Sequence, residues 1–188
     1  MEKRTKIILW VVGIFLLFGI TSLVYTKYKP KEVANQQSEK GITSDAGSNS
    51  IENLKVPDFK LKDLNGKQIS LSDYKGKIVI LNFWAVWCKY CKQEMPDLNE
   101  LNKSLVKEND VVILAVDSEE SINTVKGYLN SNNISMNVLM DSDGAVTKAY
   151  GITGFPTTFV INRDGTLFTQ IPGATNKATL TDIISKVK

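Results

Sequence analysis

The sequence contains no histidine and only two cysteines among its 188 residues. Without histidine the chain cannot build a His-assisted nucleophile, a His-ligated haem or most kinds of zinc site. A structural zinc site normally takes four Cys or His ligands, so two thiols could supply only half of one. The sequence therefore predicts neither a metal site nor a bound cofactor.

The two cysteines, Cys88 and Cys91, are three positions apart in the segment WAVWCKYCKQEMP. A disulfide across so short a loop stabilises a fold little, because it removes little entropy from the unfolded chain. The remaining interpretation is a dithiol that cycles between reduced and oxidised forms. The cysteines come after the apolar run KIVILNFWA, which predicts a buried strand. Apolar residues at helical spacing then predict a helix from about Cys88 to about Lys107.

The predicted helix start gives the two thiols different roles. Unpaired backbone N–H groups at that end favour a thiolate at Cys88, and the ammonium group of Lys89 adds positive charge beside it. Cys91 lies one turn further into the helix and should be more buried. We therefore expect Cys88 to attack a target disulfide and Cys91 to resolve the mixed disulfide.

Residues 7–25, IILWVVGIFLLFGITSLVY, carry no charged side chain. A helix of this length can cross a hydrocarbon layer of ~30 Å at ~1.5 Å per residue. No small-x-small cleavage pattern follows, so the run predicts an uncleaved transmembrane anchor in the cell membrane behind a cytoplasmic head, residues 1–6. Positive charges flank the run in equal number, so the orientation, with the rest of the chain outside the cytoplasm, depends on the short basic head. The alternative is a buried core helix.

The stretch from Pro30 to Ser50 is polar and without periodicity, which is typical of a disordered linker. We assign residues 26–50 to a flexible tether and residues 51–188 to one folded domain. Lys and Arg outnumber Asp and Glu by seven to four in residues 1–50, whereas the two signs balance in residues 51–188. A nucleic-acid footprint would need basic residues clustered on the domain, so none is predicted.

The patterns in the domain predict alternating strands and helices. The segment PDFKLKDLNGKQISL alternates apolar and polar residues around Asn65 and Gly66, which favours a hairpin with a two-residue turn. Two buried strands, each followed by a helix, call for parallel pairing, and RDGTLFTQI predicts an antiparallel hairpin near the end. The expected fold is α/β: a central mixed sheet flanked by helices, with an added N-terminal β-hairpin.

Two motifs together resemble a known family. The segment FWAVWCKYC resembles the site of the thioredoxin superfamily, and FPTTFVI resembles the loop that carries its cis-proline. More narrowly, residues 55–188 resemble the TlpA/ResA-like thiol-disulfide oxidoreductases. The resemblance implies a thioredoxin fold outside the cytoplasm that reduces disulfides in exported proteins, with cytochrome c maturation as one such role. It also implies a membrane dithiol electron donor, and we expect a monomer.

Several residues carry over from the family's pattern. Pro156 matches the cis-proline, and the backbone of Phe155 before it is expected to pair with an extended client segment. Asn82 stands where many thioredoxins have a buried acid, and an amide cannot titrate. Glu94, three residues after Cys91, matches an acid near the site and is expected to take the proton of Cys91; the alternative is a solvated helix charge.

The aromatic residues at the site divide by expected role. Trp87 is expected to cover the disulfide and to dock clients, whereas Trp84 can equally be part of the core. Tyr90 departs from the family's pattern, because thioredoxin and many relatives have proline there. With Lys89 and Tyr90 between the cysteines, the redox poise and the direction of electron flow stay open.

Three alternatives to a reductase remain. The same chemistry run in reverse would make the protein an oxidant that forms disulfides. A thiol peroxidase is a second alternative, because PDFKLKDLNGKQISLSDYKGK also resembles the start of peroxiredoxins. Their Pro-x-x-x-Thr-x-x-Cys motif is missing, since Leu81 and Ala85 occupy the Pro and Thr positions. A non-catalytic binding module with the same fold is the third.

Overall fold

The structure, a computed structural model, describes residues 54–105 and 110–187. The strands are β1 (Lys60–Asp63), β2 (Gln68–Ser70), β3 (Ile78–Trp84), β4 (Val111–Ser118), β5 (Asn137–Asp141), β6 (Thr157–Ile161) and β7 (Leu167–Pro172). The helices are α1 (Lys89–Leu105), α2 (Ile122–Ser131), α3 (Ala145–Ala149) and α4 (Lys177–Lys186), and a 3₁₀ helix spans Leu71–Tyr74. The alternation of strands and helices agrees with the pattern predicted from the sequence.

Within these residues the strands form one mixed sheet in the order β2-β1-β5-β4-β3-β6-β7. Strands β3, β4 and β5 are mutually parallel. Strand β1 runs antiparallel to β5 and to β2, and β6 runs antiparallel to β3 and to β7. Every residue of β3 is buried, as its unbroken apolar run predicts for a strand covered on both faces. The predicted mixed sheet flanked by helices is confirmed.

Alternate residues of β3 contribute to two separate cores, because successive side chains of a strand point to opposite faces. Ile80 and Trp84 pack in the core that contains α1, α2 and both cysteines. Leu81 and Phe83 pack in the other core, next to Tyr150 at the end of α3. The active-site residues therefore belong to the α1 face of the sheet.

The turn between β1 and β2 differs from the two-residue Asn-Gly turn that the sequence predicted. Four residues, 64–67, separate the two strands. Gly66 has a positive φ of +83°, whereas the φ of Asn65 is not positive. The carboxylate of Asp63 accepts the backbone N–H groups of Asn65 and Lys67 at 2.8 and 2.9 Å. The prediction of a two-residue turn is wrong because this side chain stabilises a longer one.

The predicted head, anchor and tether, residues 1–6, 7–25 and 26–50, lie outside the described residues. In the part of the chain that the structure describes, no helix combines the length and the apolar composition that a membrane span requires. The predicted domain, residues 51–188, includes all of the elements above.

Candidate active site

The two cysteines lie where β3 leads into α1. They form a disulfide with 5.3 Å between their Cα atoms, and the backbone N–H of Cys91 donates to Sγ of Cys88 at 3.1 Å. Cys88 directly precedes the helix and is 5% exposed, whereas Cys91 in the first turn is 0% exposed. An N–H group of the first helical turn is thus directed at the sulfur that was predicted to attack. Such a group stabilises negative charge on that sulfur.

The loop before β6 reaches the same end of the sheet as the cysteines. In the antiparallel register Phe83 is opposite Thr157, so Pro156 lies beside the end of β3. The Phe155–Pro156 peptide bond is cis, as the resemblance implies. Pro156 is buried and Phe155 is half-buried. This loop forms one wall of the site.

An aromatic pair forms the exposed surface next to the disulfide. Trp87 is 67% exposed, and its ring lies 5.7 Å from that of Phe155 in an edge-on arrangement. Tyr90, between the cysteines, is 61% exposed, and Lys89 is exposed as well. The site therefore presents apolar surface to solvent beside a nearly buried sulfur, which is typical of a surface that contacts another molecule.

Glu94 is a buried carboxyl group in α1 and is only 2% exposed. Its Oε1 accepts the side-chain N–H of Asn82 at 2.8 Å, and its Oε2 accepts the backbone N–H of Thr175 at 2.8 Å. Asn82 also donates to Oγ1 of Thr158 at 3.0 Å. The alternative interpretation of Glu94 as a solvated helix charge is therefore wrong. The structure brings Asn82 and Glu94 into direct contact, and the amide orients the carboxyl group.

Burial raises the pKa of Glu94 to about 7, although the hydrogen bonds from Thr175 and Asn82 act in the opposite direction. At this pKa the carboxyl group is about half protonated near neutral pH. It can therefore both accept and return a proton one helical turn from Cys91, which is what a general acid and base requires.

A second buried acid near the site was not predicted from the sequence. Asp117 at the end of β4 is 0% exposed and is opposite Trp84 in the parallel register. Burial, and then the adjacent carboxylate of Glu120, raise the pKa of Asp117 well above its usual range. Trp84 is fully buried against Tyr128, with 5.7 Å between ring centres, so Trp84 belongs to the core. The sequence signal that could have pointed to Asp117 is its position as the aspartate that ends the apolar run VVILAVD.

Replacing Asp117 should increase stability at neutral pH. A folded-state pKa above the unfolded value means that stability is full below about pH 4 and falls as the pH rises through the folded-state pKa. Asp117→Asn does not titrate, so we expect its free energy of unfolding to exceed that of the wild type by about 1 to 3 kcal/mol at pH 7 to 8 and to match it near pH 4. Denaturant unfolding at each pH measures this.

The matched control for that prediction is Asp110→Asn, because the carboxylate of Asp110 is 71% exposed and contacts Arg163 at the surface. Exposed ion pairs of this kind contribute little to stability. A difference between Asp117→Asn and the wild type that does not change with pH would contradict the account of Asp117.

Among the described residues, no group of three or more Cys, Asp or Glu side chains could hold a metal ion. The reactive groups at this site are the two sulfurs of Cys88 and Cys91 and the carboxyl group of Glu94. A disulfide at a helix start and a cis-proline beside it define a class of protein. The class is that of the thioredoxin-fold enzymes, which exchange thiols and disulfides.

Comparison with known proteins places the chain in a family within this class. ResA of Bacillus thuringiensis subsp. konkukian, a thiol-disulfide oxidoreductase, is 33% identical over 185 residues that cover 98% of each chain. ResA of Bacillus subtilis is 35% identical over 188 residues, which cover 100% of this chain and 97% of the relative. The AhpC/TSA family model also matches residues 53–169. The chain belongs to the ResA family of thiol-disulfide oxidoreductases and is an enzyme of that type.

A solved structure supports the same fold. The exposed lipoprotein thioredoxin Etrx1 of Streptococcus pneumoniae has 34% sequence identity and a TM-score of 0.63, covering 70% of this chain and 100% of that chain. The predicted thioredoxin fold is confirmed.

Proposed function

We propose that this protein reduces disulfides in exported proteins on the outer side of the cytoplasmic membrane. The observation that carries the proposed exchange at Cys88 is the N–H group of Cys91 directed at Sγ of Cys88, beside an exposed aromatic surface at which a client can bind. The direction of electron flow, toward the client, is proposed from the family resemblance. A membrane dithiol carrier would return the enzyme to its reduced form, and apocytochrome c is one candidate client. The catalytic domain acts as a monomer in this proposal.

The reaction begins from the reduced enzyme. The thiolate of Cys88 attacks one sulfur of the client's disulfide, a Cys88–client bond forms, and the client's other sulfur leaves as a thiolate. Glu94 then accepts the proton of Cys91. The resulting thiolate attacks Sγ of Cys88 and releases the client's second thiolate, which takes up a proton. Two electrons pass to the client, and the Cys88–Cys91 disulfide seen in the structure is the oxidised product.

Client binding is assigned to the residues around the disulfide. The exposed ring of Trp87 contacts apolar client side chains, and the backbone beside the cis peptide bond, at Phe155 and Pro156, pairs with an extended client segment. Lys89 and Tyr90 adjust the redox poise of the couple from between the two cysteines. The support for these roles is that Trp87, Lys89 and Tyr90 are close to Cys88 in sequence and that the ring of Phe155 contacts the ring of Trp87.

Removing the exposed ring should weaken client binding more than it slows the chemistry. For Trp87→Ala we expect the KM for a disulfide-containing peptide to rise about tenfold while kcat changes little, because a tenfold change corresponds to ~1.4 kcal/mol of lost contact. Leu54→Ala is the control, since Leu54 is also a large exposed apolar residue, at 59%. A loss confined to kcat would contradict a docking role for Trp87.

The location outside the cytoplasm is proposed from residues 7–25 as an anchor and from the description of the relative Etrx1 as an exposed lipoprotein. Labelling tests it directly, because Cys91→Ser leaves Cys88 as the only cysteine in the chain. A membrane-impermeant maleimide should label this variant in intact cells after mild reduction. Labelling that requires lysed cells would overturn the proposed orientation. A double variant without either cysteine controls for background.

The peroxidase alternative has one observation in its favour, the match to the AhpC/TSA family model. The residues at the site favour disulfide exchange instead. Leu81 and Ala85 are both buried and apolar, so they provide no hydroxyl group to a peroxide. Cys88 is also bonded to a cysteine three positions away, which is the arrangement of a cycling dithiol.

A further inference from the structure

A short hydrogen bond joins the active-site turn to the loop after β4. The backbone N–H of Val86 donates to Oε2 of Glu120 at 2.5 Å. Val86 belongs to the turn of residues 85–88, which is closed by the N–H of Cys88 donating to the carbonyl of Ala85 at 3.2 Å. This turn carries both Trp87 and Cys88. The carboxylate of Glu120 therefore holds the segment that presents the attacking sulfur.

The loop that carries Glu120 is itself fixed on both sides. Glu119 has a left-handed φ of +60°. This conformation is uncommon and costs energy for a non-glycine residue, and it persists only where the surrounding structure imposes it. Its N–H donates to the carbonyl of Asp141 at 3.0 Å. On the other side Ser121 caps α2 by accepting the N–H of Thr124 at 3.2 Å. Glu120 thus projects from a short segment with little freedom to move.

The contact matters most when the disulfide is open. In the oxidised enzyme the bond to Cys91 ties Cys88 to α1, but that bond is absent in the reduced enzyme and in the mixed disulfide with a client. Disulfide exchange needs the attacking sulfur aligned with the bond that it breaks, and small displacements of reacting groups slow a reaction strongly. During those stages the turn depends on non-covalent contacts such as the one from Glu120.

We propose that Glu120 is a positioning residue for thiol-disulfide exchange, whose carboxylate fixes the turn of residues 85–88 and so aligns Cys88 for attack. The inference rests on exchange at Cys88, but it does not depend on the direction of electron flow. Glu120 exchanges no proton or electron with the sulfurs in this role. Its carboxylate acts through the backbone of Val86.

Three substitutions separate this role from a general effect on stability. Glu120→Gln keeps the length of the side chain and an oxygen that can accept the N–H of Val86. Glu120→Asp keeps the charge, but its side chain is one methylene shorter. Glu120→Ala removes both the charge and the accepting oxygen. We expect Glu120→Asp and Glu120→Ala to lower kcat for reduction of a disulfide-containing peptide by about tenfold, whereas kcat of Glu120→Gln should stay within about threefold of the wild-type value.

The experiment uses the full chain and measures kcat, KM and the hydrogen exchange of the Val86 amide in the reduced enzyme. Exchange at Val86 should be slow in the wild type and in Glu120→Gln, and at least about tenfold faster in Glu120→Asp. Glu100→Gln is the control, because Glu100 is an exposed carboxylate that pairs with Lys177 at the surface. If Glu120→Ala does not fold, the comparison between Glu120→Asp and Glu120→Gln still tests the positioning role.

Two results would overturn the inference. One is a Glu120→Asp enzyme as active as the wild type, and the other is a Glu120→Gln enzyme as impaired as Glu120→Asp, since an oxygen that accepts the N–H of Val86 would then not be enough to align Cys88. A wild-type enzyme without any exchange activity would instead count against the proposed function. The two failures are therefore distinguishable.

Discussion

Cys88→Ser should abolish disulfide exchange, with a loss of at least about a thousandfold in rate, because a serine hydroxyl is a far weaker nucleophile than a thiolate at neutral pH. The sequence has one other cysteine, Cys91, and that side chain is 0% exposed. The measurement is the rate at which the reduced protein opens the disulfide of a model peptide. The fold should be retained, because a disulfide across so short a loop contributes little to stability.

Cys91→Ser is the matched variant, and it should behave differently. Cys88 can still attack, but the mixed disulfide has no resolving thiol and should accumulate. Non-reducing electrophoresis of the variant from cells should show covalent adducts that disappear on reduction. Mass spectrometry of the captured clients should identify exported proteins that contain cysteine pairs. Equal turnover by the two variants, or adducts that form through Cys91 in Cys88→Ser, would contradict the assigned roles.

Glu94→Gln should remove the pH dependence that the buried carboxyl group gives to the resolving step. With a pKa of about 7, Glu94 gains the ability to accept a proton as the pH rises through neutrality. The rate of resolution in the wild type should therefore rise with an inflection near pH 7. In Glu94→Gln that inflection should disappear and the rate should fall about a hundredfold, a typical effect of losing a general base.

The same substitution affects stability, and the sign follows from the raised pKa. The protonated form of Glu94 is favoured by folding, so its contribution to the free energy of unfolding is full below about pH 4.5 and is lost as the pH rises through about 7. Gln does not titrate, so this slope should be absent from the variant. The amide N–H₂ of the new glutamine would, however, face the N–H of Thr175. This lowers the free energy of unfolding of Glu94→Gln by about 1 to 3 kcal/mol at every pH.

Glu100→Gln, on the exposed side of the same helix, is the control for both measurements. Its carboxylate is 66% exposed and contacts Lys177, so neither the rate nor its pH profile should change. An inflection near pH 7 that persists in Glu94→Gln would show that another group takes the proton of Cys91, and the role assigned to Glu94 would be wrong.

The sequence predicted the parts of the site that depend on local pattern. The apolar run of β3 and the helical spacing after Cys88 were sufficient to place a dithiol at a helix start, since each is a property of neighbouring residues. The resemblance supplied the cis peptide bond before Pro156, which no local pattern determines. The prediction of a two-residue turn at Asn65 was wrong because the side chain of Asp63 accepts the backbone N–H groups of Asn65 and Lys67 and so stabilises a longer turn.

The contacts that the sequence could not predict join residues far apart in the chain. Val86 and Glu120 are 34 positions apart, and Glu94 and Thr175 are 81 apart. In the sequence, the segment DSEES is typical of an exposed acidic loop. Only the parallel pairing of β3 with β4 brings it beside the active-site turn and buries Asp117. The positions of Asp117 and Glu120 near the site are therefore a property of the tertiary structure.

The reduction potential of the Cys88–Cys91 couple decides whether the enzyme donates electrons to client disulfides. The measurement is equilibration of the protein against defined thiol and disulfide buffers, with the fraction of oxidised enzyme read by alkylation and mass. For a reductase we expect a reduction potential near the ~−270 mV of thioredoxin, or lower. A value approaching the ~−120 mV of a strong oxidant would contradict it and would make the protein a donor of disulfides.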